Sequence, residues 1–399
     1  MVDNTVFNSK DYEIKSLELI NSGGQTVDLR RVFVEMQIFQ DLYSSVMNGT
    51  ILITDGNDIF GNFYFVGNEY LRVKIDKPGL GRPLERMFRV YKSSDRHPAN
   101  DSGQTFILHF CSDELVSSEQ ILVSKAYKST KIRNIVSDIL LKELNVDPTR
   151  IAKLEDTSGN FDFIIPNYRP FEAIQWVTGR GYDMKKFCYF FFENKNGFNL
   201  TSLQTLIKQK PYKTIRYELK NVERDPANNK DSIDDFEIIN DFDMINSITN
   251  GSFASRLLGV DIFKQTFTKY EYDLSIAEGQ GNLLNKYKPV NSFKNSKNQT
   301  LFEAKDSFFR TYIDTSETAT EKSSDIEKGL MPRAMHMTMI NNFKIKATIP
   351  GDIELKAGDM VYVDFPVFEA ATKEGKKLDK RKSGNYLVTA VNHKFSEQR

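Results

Sequence analysis

The chain has 399 residues, 40% of them hydrophobic, which is more than one ordinary core accommodates and predicts two to four domains. Lysine plus arginine equals aspartate plus glutamate at 54 each, so no global field draws the chain to nucleic acid or to an anionic membrane. Any charge-driven partner must therefore be met locally.

In chain order, Tyr12 to Leu19 and then Asp28 to Gln40 alternate in the period of a half-buried strand. In the second of these, Val32, Val34, Met36 and Ile38 are expected to face one way, with Arg31, Glu35 and Gln37 opposite. Gly49 to Thr54 gives another strand ending at Asp55-Gly56, and Gly67 leads into one with Leu71, Val73 and Ile75 inward. Arg86 to Tyr91 and Gln104 to Cys111 supply two more, so a five- or six-stranded antiparallel barrel or sandwich is predicted over about residues 10 to 112.

The period then changes. Ser129 or Thr130 is placed to cap a helix with the stripe Ile132, Ile135, Val136, Ile139, Leu140 and Leu144, ended by Asn145 and Pro148. A second helix starts on Pro170, carries Phe171, Ile174 and Val177, and stops at Gly179 and Gly181. Phe187 to Phe192 reads as a buried strand that turns back through Glu193-Asn-Lys-Asn-Gly197. Residues 113–208 are thus expected as a small α+β unit.

Strand-like residues resume at Thr214 to Tyr217 and Asp235 to Ile239, and Ile245 to Leu258 reads as partly helical. Residues 263–330, rich in Asn, Ser, Lys and Glu, are expected as a loop-rich polar insertion. The run Met331 to Met339 has the spacing of packed helical methionines. The last sixty residues are a sheet in period two: Phe343, Ile345, Ala347 and Ile349, then Val361, Val363 and Phe365 after the turn at Gly358-Asp359, then a third strand after Gly384. Three strands alone do not outweigh chain entropy, so their neighbours are expected among residues 210–240. Gly67 leading into Leu71, Val73 and Ile75 is echoed by Gly358 leading into Val361, Val363 and Phe365, which predicts two barrels of one kind, the second built from 209–262 and 331–399.

Chemistry is sparse. Cys111 and Cys188 lie in apolar runs and read as core filler, which points to a reducing compartment. His97, His109, His336 and His393 are scattered without metal-ligand spacing, and there is neither a nucleophile elbow nor a phosphate-binding loop, so no cofactor or metal is expected. The carboxylate pairs Asp234 with Asp235 and Asp241 with Asp243 read as solvated loop positions ahead of an acid-base pair. Lys373, Lys376, Lys377, Lys380, Arg381 and Lys382 crowd one loop; a solvated hairpin tip is favoured over a DNA grip, since no aromatics interleave with the charges. The longest wholly apolar run, Phe187 to Phe192, is too short for a membrane span, and with a polar start the chain is expected to be soluble and not secreted.

Four stretches, taken in order, resemble the central baseplate hub protein of contractile-tailed, T-even-like bacteriophages, a family related to the base of type VI secretion spike proteins. They are Ile164 to Val177 (IIPNYRPFEAIQWV), Phe191 to Leu203 (FFENKNGFNLTSL), Gly251 to Asp261 (GSFASRLLGVD) and the segment from Pro350-Gly-Asp to His393. The resemblance implies a non-enzymatic α+β, mainly β protein with two tail-tube-like antiparallel barrels per chain. It also implies a homotrimer that matches a sixfold tail tube to a threefold central spike and is surrounded by baseplate wedge proteins, in the virion, after assembly in the host cytoplasm. DNA would pass through its channel without sequence-specific binding, and the Lys373 to Lys382 loop would be a lumen-rim or partner-contact loop. Two departures stand out: the polar insertion is long, and the chain ends at Arg399 where such hubs add a further strand. The rival readings are the base of a type VI or other contractile injection spike and a tail-tip polysaccharide hydrolase.

Overall fold

The structure, a computed structural model, describes residues 12–56, 61, 63, 65–77, 83–100, 103–183, 186–217, 231–262, 264–279, 284, 293–314, 321–322, 326–367 and 378–396. The chain is mainly β. Its first strands are β1 (Glu13–Ile20), β2 (Thr26–Asp28), β3 (Phe33–Asp41), β4 (Asn48–Asp55), β5 (Tyr70–Asp76), β6 (Leu84–Asn100) and β7 (Gly103–Ser112). With the closing strand of the chain, β23 (Ala390–Ser396), they form one eight-stranded antiparallel sheet in the order β2-β1-β5-β6-β7-β4-β3-β23.

Alternation makes this sheet. Leu17, Leu19, Met36, Ile38, Ile51, Ile53, Leu71, Val73 and Ile75 are all fully buried on one face, each stabilising by about 1.5 to 3 kcal/mol before entropy. The sheet curls until its two ends approach: the Tyr12 hydroxyl donates to the Ser396 carbonyl, and the Tyr12 ring meets Phe395 edge-on at 5.3 Å. One local expectation fails. Val34 is 38% exposed, and Phe33 is buried in its place, because a bulge between Phe33 and Glu35 shifts the phase of the strand before Met36 and Ile38 return inward.

The middle of the chain mixes helices and strands. It comprises α1 (Asp113–Glu119), β8 (Val123–Thr130), α2 (Ile132–Asp138), β9 (Ile151–Leu154), β10 (Phe161–Tyr168), α3 (Pro170–Thr178), β11 (Tyr189–Asn194), β12 (Gly197–Ser202) and α4 (Leu203–Ile207). The helical stripe continues through a π turn at Ile139–Glu143, and Ile132, Ile135, Val136, Ile139 and Leu140 are fully buried. Asn145, at φ 50, ends it in the left-handed region that asparagine tolerates. Pro170 opens α3 as its first residue, with Glu172 accepting from the Arg169 amide at 3.1 Å. Phe191 and Phe198 stack across β11 and β12 at 5.8 Å, and Cys111 and Cys188 are both free and buried.

Downstream lie β13 (Thr214–Tyr217), β14 (Ser232–Ile233), β15 (Asp235–Asn240), α5 (Met244–Thr249), β16 (Ala254–Asp261), β17 (Thr266–Asp273), α6 (Leu274–Gly279), β18 (Phe309–Asp314) and β19 (Glu321–Lys322). They are followed by α7 (Ile326–Ile340), β20 (Lys344–Thr348), β21 (Met360–Asp364) and β22 (Gly384–Leu387). The neighbours sought for the closing strands are found where expected: β13 runs parallel to β21 with Thr214 opposite Tyr362, and β15 pairs antiparallel with β20. Val361, Val363 and Phe365 share a core with Ile215 and Ile233.

Two expectations change. The stretch after Gly384 is not one strand: β22 stays with β21, while β23 leaves and pairs with β3, placing Phe395 opposite Met36. The reason is burial, since Tyr386 and Val388 pack on the closing core whereas Phe395, 4% exposed, fills the N-terminal one. The polar stretch 263–330, expected as loops, contributes β17 and β18 to a sheet β17-β16-β18. Tyr272, Leu274, Ala277 and Leu301 there join Met331, Met335 and Met339 of α7 in a core of their own. Those methionines recur every four residues and pack, as their spacing predicted.

Because β23 is the edge strand of the first sheet, the extreme C-terminal region belongs to the N-terminal core. Truncating Phe395→Ala is expected to cost about 3 to 5 kcal/mol, read as a lower denaturant midpoint monitored by fluorescence. An unchanged midpoint would show that the strand is dispensable.

Candidate functional site

The hairpin of β11 and β12 carries a cluster of buried charges. Glu193, whose side chain is wholly buried, accepts from the Met47 amide at 2.9 Å, the Ser112 hydroxyl at 2.5 Å and the Arg150 guanidinium at 2.5 Å. Arg150 also pairs with Glu114 of α1, and its guanidinium lies 5.4 Å from the Phe198 ring centre. Burial pushes the Glu114 carboxyl up, against the pull of Arg150. Burial likewise lowers Arg86, which donates to the Lys195 carbonyl at 2.6 Å. The tip then reaches the closing segment: Lys195 pairs with Glu354, and the Asn194 amide donates to the Ala357 carbonyl at 3.1 Å. Gly197 makes this approach possible, since its φ is 122 and a Cβ there would lie 2.0 Å from the Arg150 carbonyl oxygen.

A second buried polar group lies nearby. His393 of β23 is 8% exposed, donates to the Leu355 carbonyl, and is held near pKa 4 chiefly by burial, with Lys195 acting in the same direction. Burial raises the Asp352 carboxyl, but the Lys213 ammonium at 2.9 Å, the Glu354 amide and Lys77 together bring it below its ordinary value.

Of the six cations singled out in the sequence, Lys373, Lys376 and Lys377 lie outside the described residues. The other three flank a turn built by Asp379, whose carboxylate accepts from the Arg381 amide at 2.9 Å and the Lys382 amide at 3.2 Å. Arg381 reaches Asp241 at 3.2 Å, and Lys382 lies 3.9 Å from Asp379. The structure thus ties the foot of the loop to the turn after β15. Asp243 in that turn caps α5 by accepting from the Asn246 amide at 2.8 Å, so the suspected carboxylate pair there does structural work.

The same turn presents large apolar side chains to solvent: Ile239 is 53% exposed, Phe242 75%, Met244 44% and Ile245 77%. Sequence reasoning missed this knob, although the unbroken mixture Ile-Ile-Asn-Asp-Phe-Asp-Met-Ile, which follows neither period, was a legible signal. It also missed Glu193, a carboxylate directly following Phe190-Phe-Phe in a strand predicted to be buried. Among the described residues no group of three or more His, Cys, Asp or Glu side chains is placed to hold a metal ion, and no helix is long and apolar enough to cross a membrane.

No protein-family model and no curated protein matches the chain. Solved structures do. The chain is similar to a tail protein of Neisseria meningitidis MC58 at 10% identity and a TM-score of 0.58, over 96% of this chain and 92% of that one. It is similar to the 43 kDa tail protein of prophage MuSo2 from Shewanella oneidensis at 10% identity and a TM-score of 0.52, over 96% and 93%. A component of the Escherichia coli type VI secretion system matches at 7% identity over 53% of each chain, with a TM-score of 0.35. The first two share this chain's fold from end to end.

Two outcomes are expected from the junction. Arg150→Met strands Glu114 and Glu193 without their cation and should cost about 3 to 5 kcal/mol at neutral pH, with the deficit shrinking on acidification as Glu114, already raised by burial, protonates; urea titrations at two pH values measure both. His393 is neutral in the fold, so the unfolded chain binds the extra proton between about pH 6.5 and 4. Its contribution is therefore complete above pH 6.5 and is lost as pH falls through that window, by up to about 3 kcal/mol, and His393→Gln should flatten this part of the stability profile.

Proposed function

We propose that this chain is a non-enzymatic structural subunit of a bacteriophage tail baseplate: a hub that joins the sixfold tail tube to the threefold central spike as a homotrimer enclosing the DNA channel. The fold shared with two tail proteins over 96% of the chain supports a tail role. The observation that carries the adaptor reading is a repeated turn. Gly67, at φ 90, precedes β5, and Gly358, at φ 93, precedes β21. In the first turn the Glu69 carboxylate accepts from the Val66 amide at 2.7 Å, and the Glu69 carbonyl accepts from the Val90 amide at 2.8 Å. In the second the Asp359 carboxylate accepts from the Lys356 amide at 3.1 Å, and the Asp359 carbonyl accepts from the Val388 amide at 2.9 Å. Both acids are buried, at 0% and 6% exposure, and each turn leads into an antiparallel strand pair.

Two related units in one chain resolve a symmetry mismatch, because three copies then offer six similar elements to a sixfold tube and three chains to a threefold spike. On this reading the partners are the tube protein, the spike, the surrounding wedge proteins and further copies of the chain. DNA passes through without sequence-specific contacts, and the loop carrying Lys373, Lys376, Lys377, Lys380, Arg381 and Lys382 lies at the channel rim or a partner contact. Obligate interfaces of this kind bury more than about 2,000 Å².

The purified chain is expected to sediment at about 138 kDa, three times its mass of 45.9 kDa, and to give a threefold ring with six lobes in negative-stain images. A monomer at micromolar concentration that binds neither tube nor spike protein would overturn the hub reading.

A further inference from the structure

A groove of about 340 Å³ runs between α7, the end of α3 and β18, lined by Phe308, Arg310, Leu330, Arg333, Ala334 and Met337. Its volume is at the small end for binding pockets, enough for a few side chains. Among the described residues neither arginine has a carboxylate partner: Arg333 donates to the Tyr189 carbonyl at 2.8 Å, and Arg310 lies 5.0 Å from the Phe308 ring centre. Two arginines lining a groove beside Leu330, Ala334 and Met337 suit a ligand that carries carboxylates beside an aromatic or aliphatic side chain.

The chain carries such a ligand on its own surface. In the seven residues from Ile239 to Ile245, four large apolar side chains are 44% to 77% exposed, and Asp241 and Asp243 sit among them. Single exposed apolar residues are ordinary, but a cluster of this density marks a protein contact. We infer that the knob Asp241-Phe242-Asp243-Met244-Ile245 of one copy seats in the Arg310–Arg333 groove of the next. Phe242 and Ile245 meet Leu330, Ala334 and Met337, while the two carboxylates face the two arginines. The Asp241–Arg381 pair opposes this little, since both side chains are exposed and such pairs contribute about 0 to 1 kcal/mol.

The knob and the groove are separate surfaces, so the contact can link copies head to tail, and it closes into a ring when the rotation between copies is cyclic. Asn250, directly after α5, borders the groove, so the knob and the groove lie at the two ends of one short helix. The inference rests on the proposed trimer only for the number of copies.

The experiment uses the full chain carrying Phe242→Ser and Ile245→Ser, which leaves the groove vacant, and a fluorescein-labelled peptide of residues 237–247. Saturable binding by anisotropy is expected, weakened at least tenfold when Arg310→Asp is added to the receptor or Phe242→Ser to the peptide. Arg310 is exposed on β18, and circular dichroism together with the milder Arg310→Gln controls for folding. In sedimentation, Asp241→Arg and Arg310→Asp should each weaken assembly, and the two together should restore it. No peptide binding, or binding indifferent to Arg310, overturns the contact. A trimer unmoved by any of these substitutions also overturns it while leaving the hub reading intact. A monomeric wild-type chain whose groove still takes the peptide supports the contact and removes the trimer.

Discussion

The arrangement of this protein depends on placing one carboxylate, Glu193, beyond the reach of water. A buried charge is tolerated only when its oxygens are fully engaged, and here the partners come from separate parts of the chain: the Met47 amide between β3 and β4, the Ser112 hydroxyl at the end of β7, and Arg150 before β9. The requirement is geometric as well as electrostatic. Charge-assisted bonds of this length hold the β11–β12 hairpin in one position against the curled sheet, where apolar packing alone would accept several. The neighbouring residues, Asn194 and Lys195, then fasten the closing segment through Ala357 and Glu354.

From that junction the layout of the chain follows. With Ala357 held, and its amide donating to Gln40 at 3.4 Å, the segment after β21 and β22 is delivered to the edge of β3. There β23 completes the first sheet and buries Phe395 and His393. The N-terminal sheet therefore needs the last described strand of the chain. Such long-range pairing favours one cooperative structure over independent modules, at the expense of loop-closure entropy during folding.

Surface chemistry tells the other half. Buried carboxylates such as Glu193 and Glu69 are satisfied by a cation or by backbone amides, whereas the turn after β15 leaves Phe242 and Ile245 in solvent and, among the described residues, Arg310 and Arg333 of the α7 groove have no carboxylate partner. Apolar surface and unneutralised charge both raise the free energy of an isolated chain, and both fall when complementary surfaces meet. The proposed contact between copies would cover both features.

Most strands, the stripe of α2 and the start of α3 at Pro170 were legible because period-two and period-3.6 burial are local properties that neighbouring residues decide together, whereas the expected cap at Ser129 or Thr130 is not formed and Lys131 precedes α2 without a side-chain cap. The doubled glycine turn was legible too, since Gly67 and Gly358 occupy backbone conformations that other residues adopt only with strain. Composition misled at 263–330, where few but well-placed residues such as Tyr272 and Leu301 suffice for a small core against α7. The cation-rich loop was noticed for its charge, yet the apolar knob that its Arg381 touches through Asp241 was not. What the sequence determined by itself is which residues are strand or helix and which face is apolar, because those follow from spacing along the chain. Which strand completes which sheet, why Glu193 is buried, and how Arg310 and Arg333 come to line one groove were decided only by tertiary structure, since each depends on partners dozens to hundreds of residues away that no local pattern encodes.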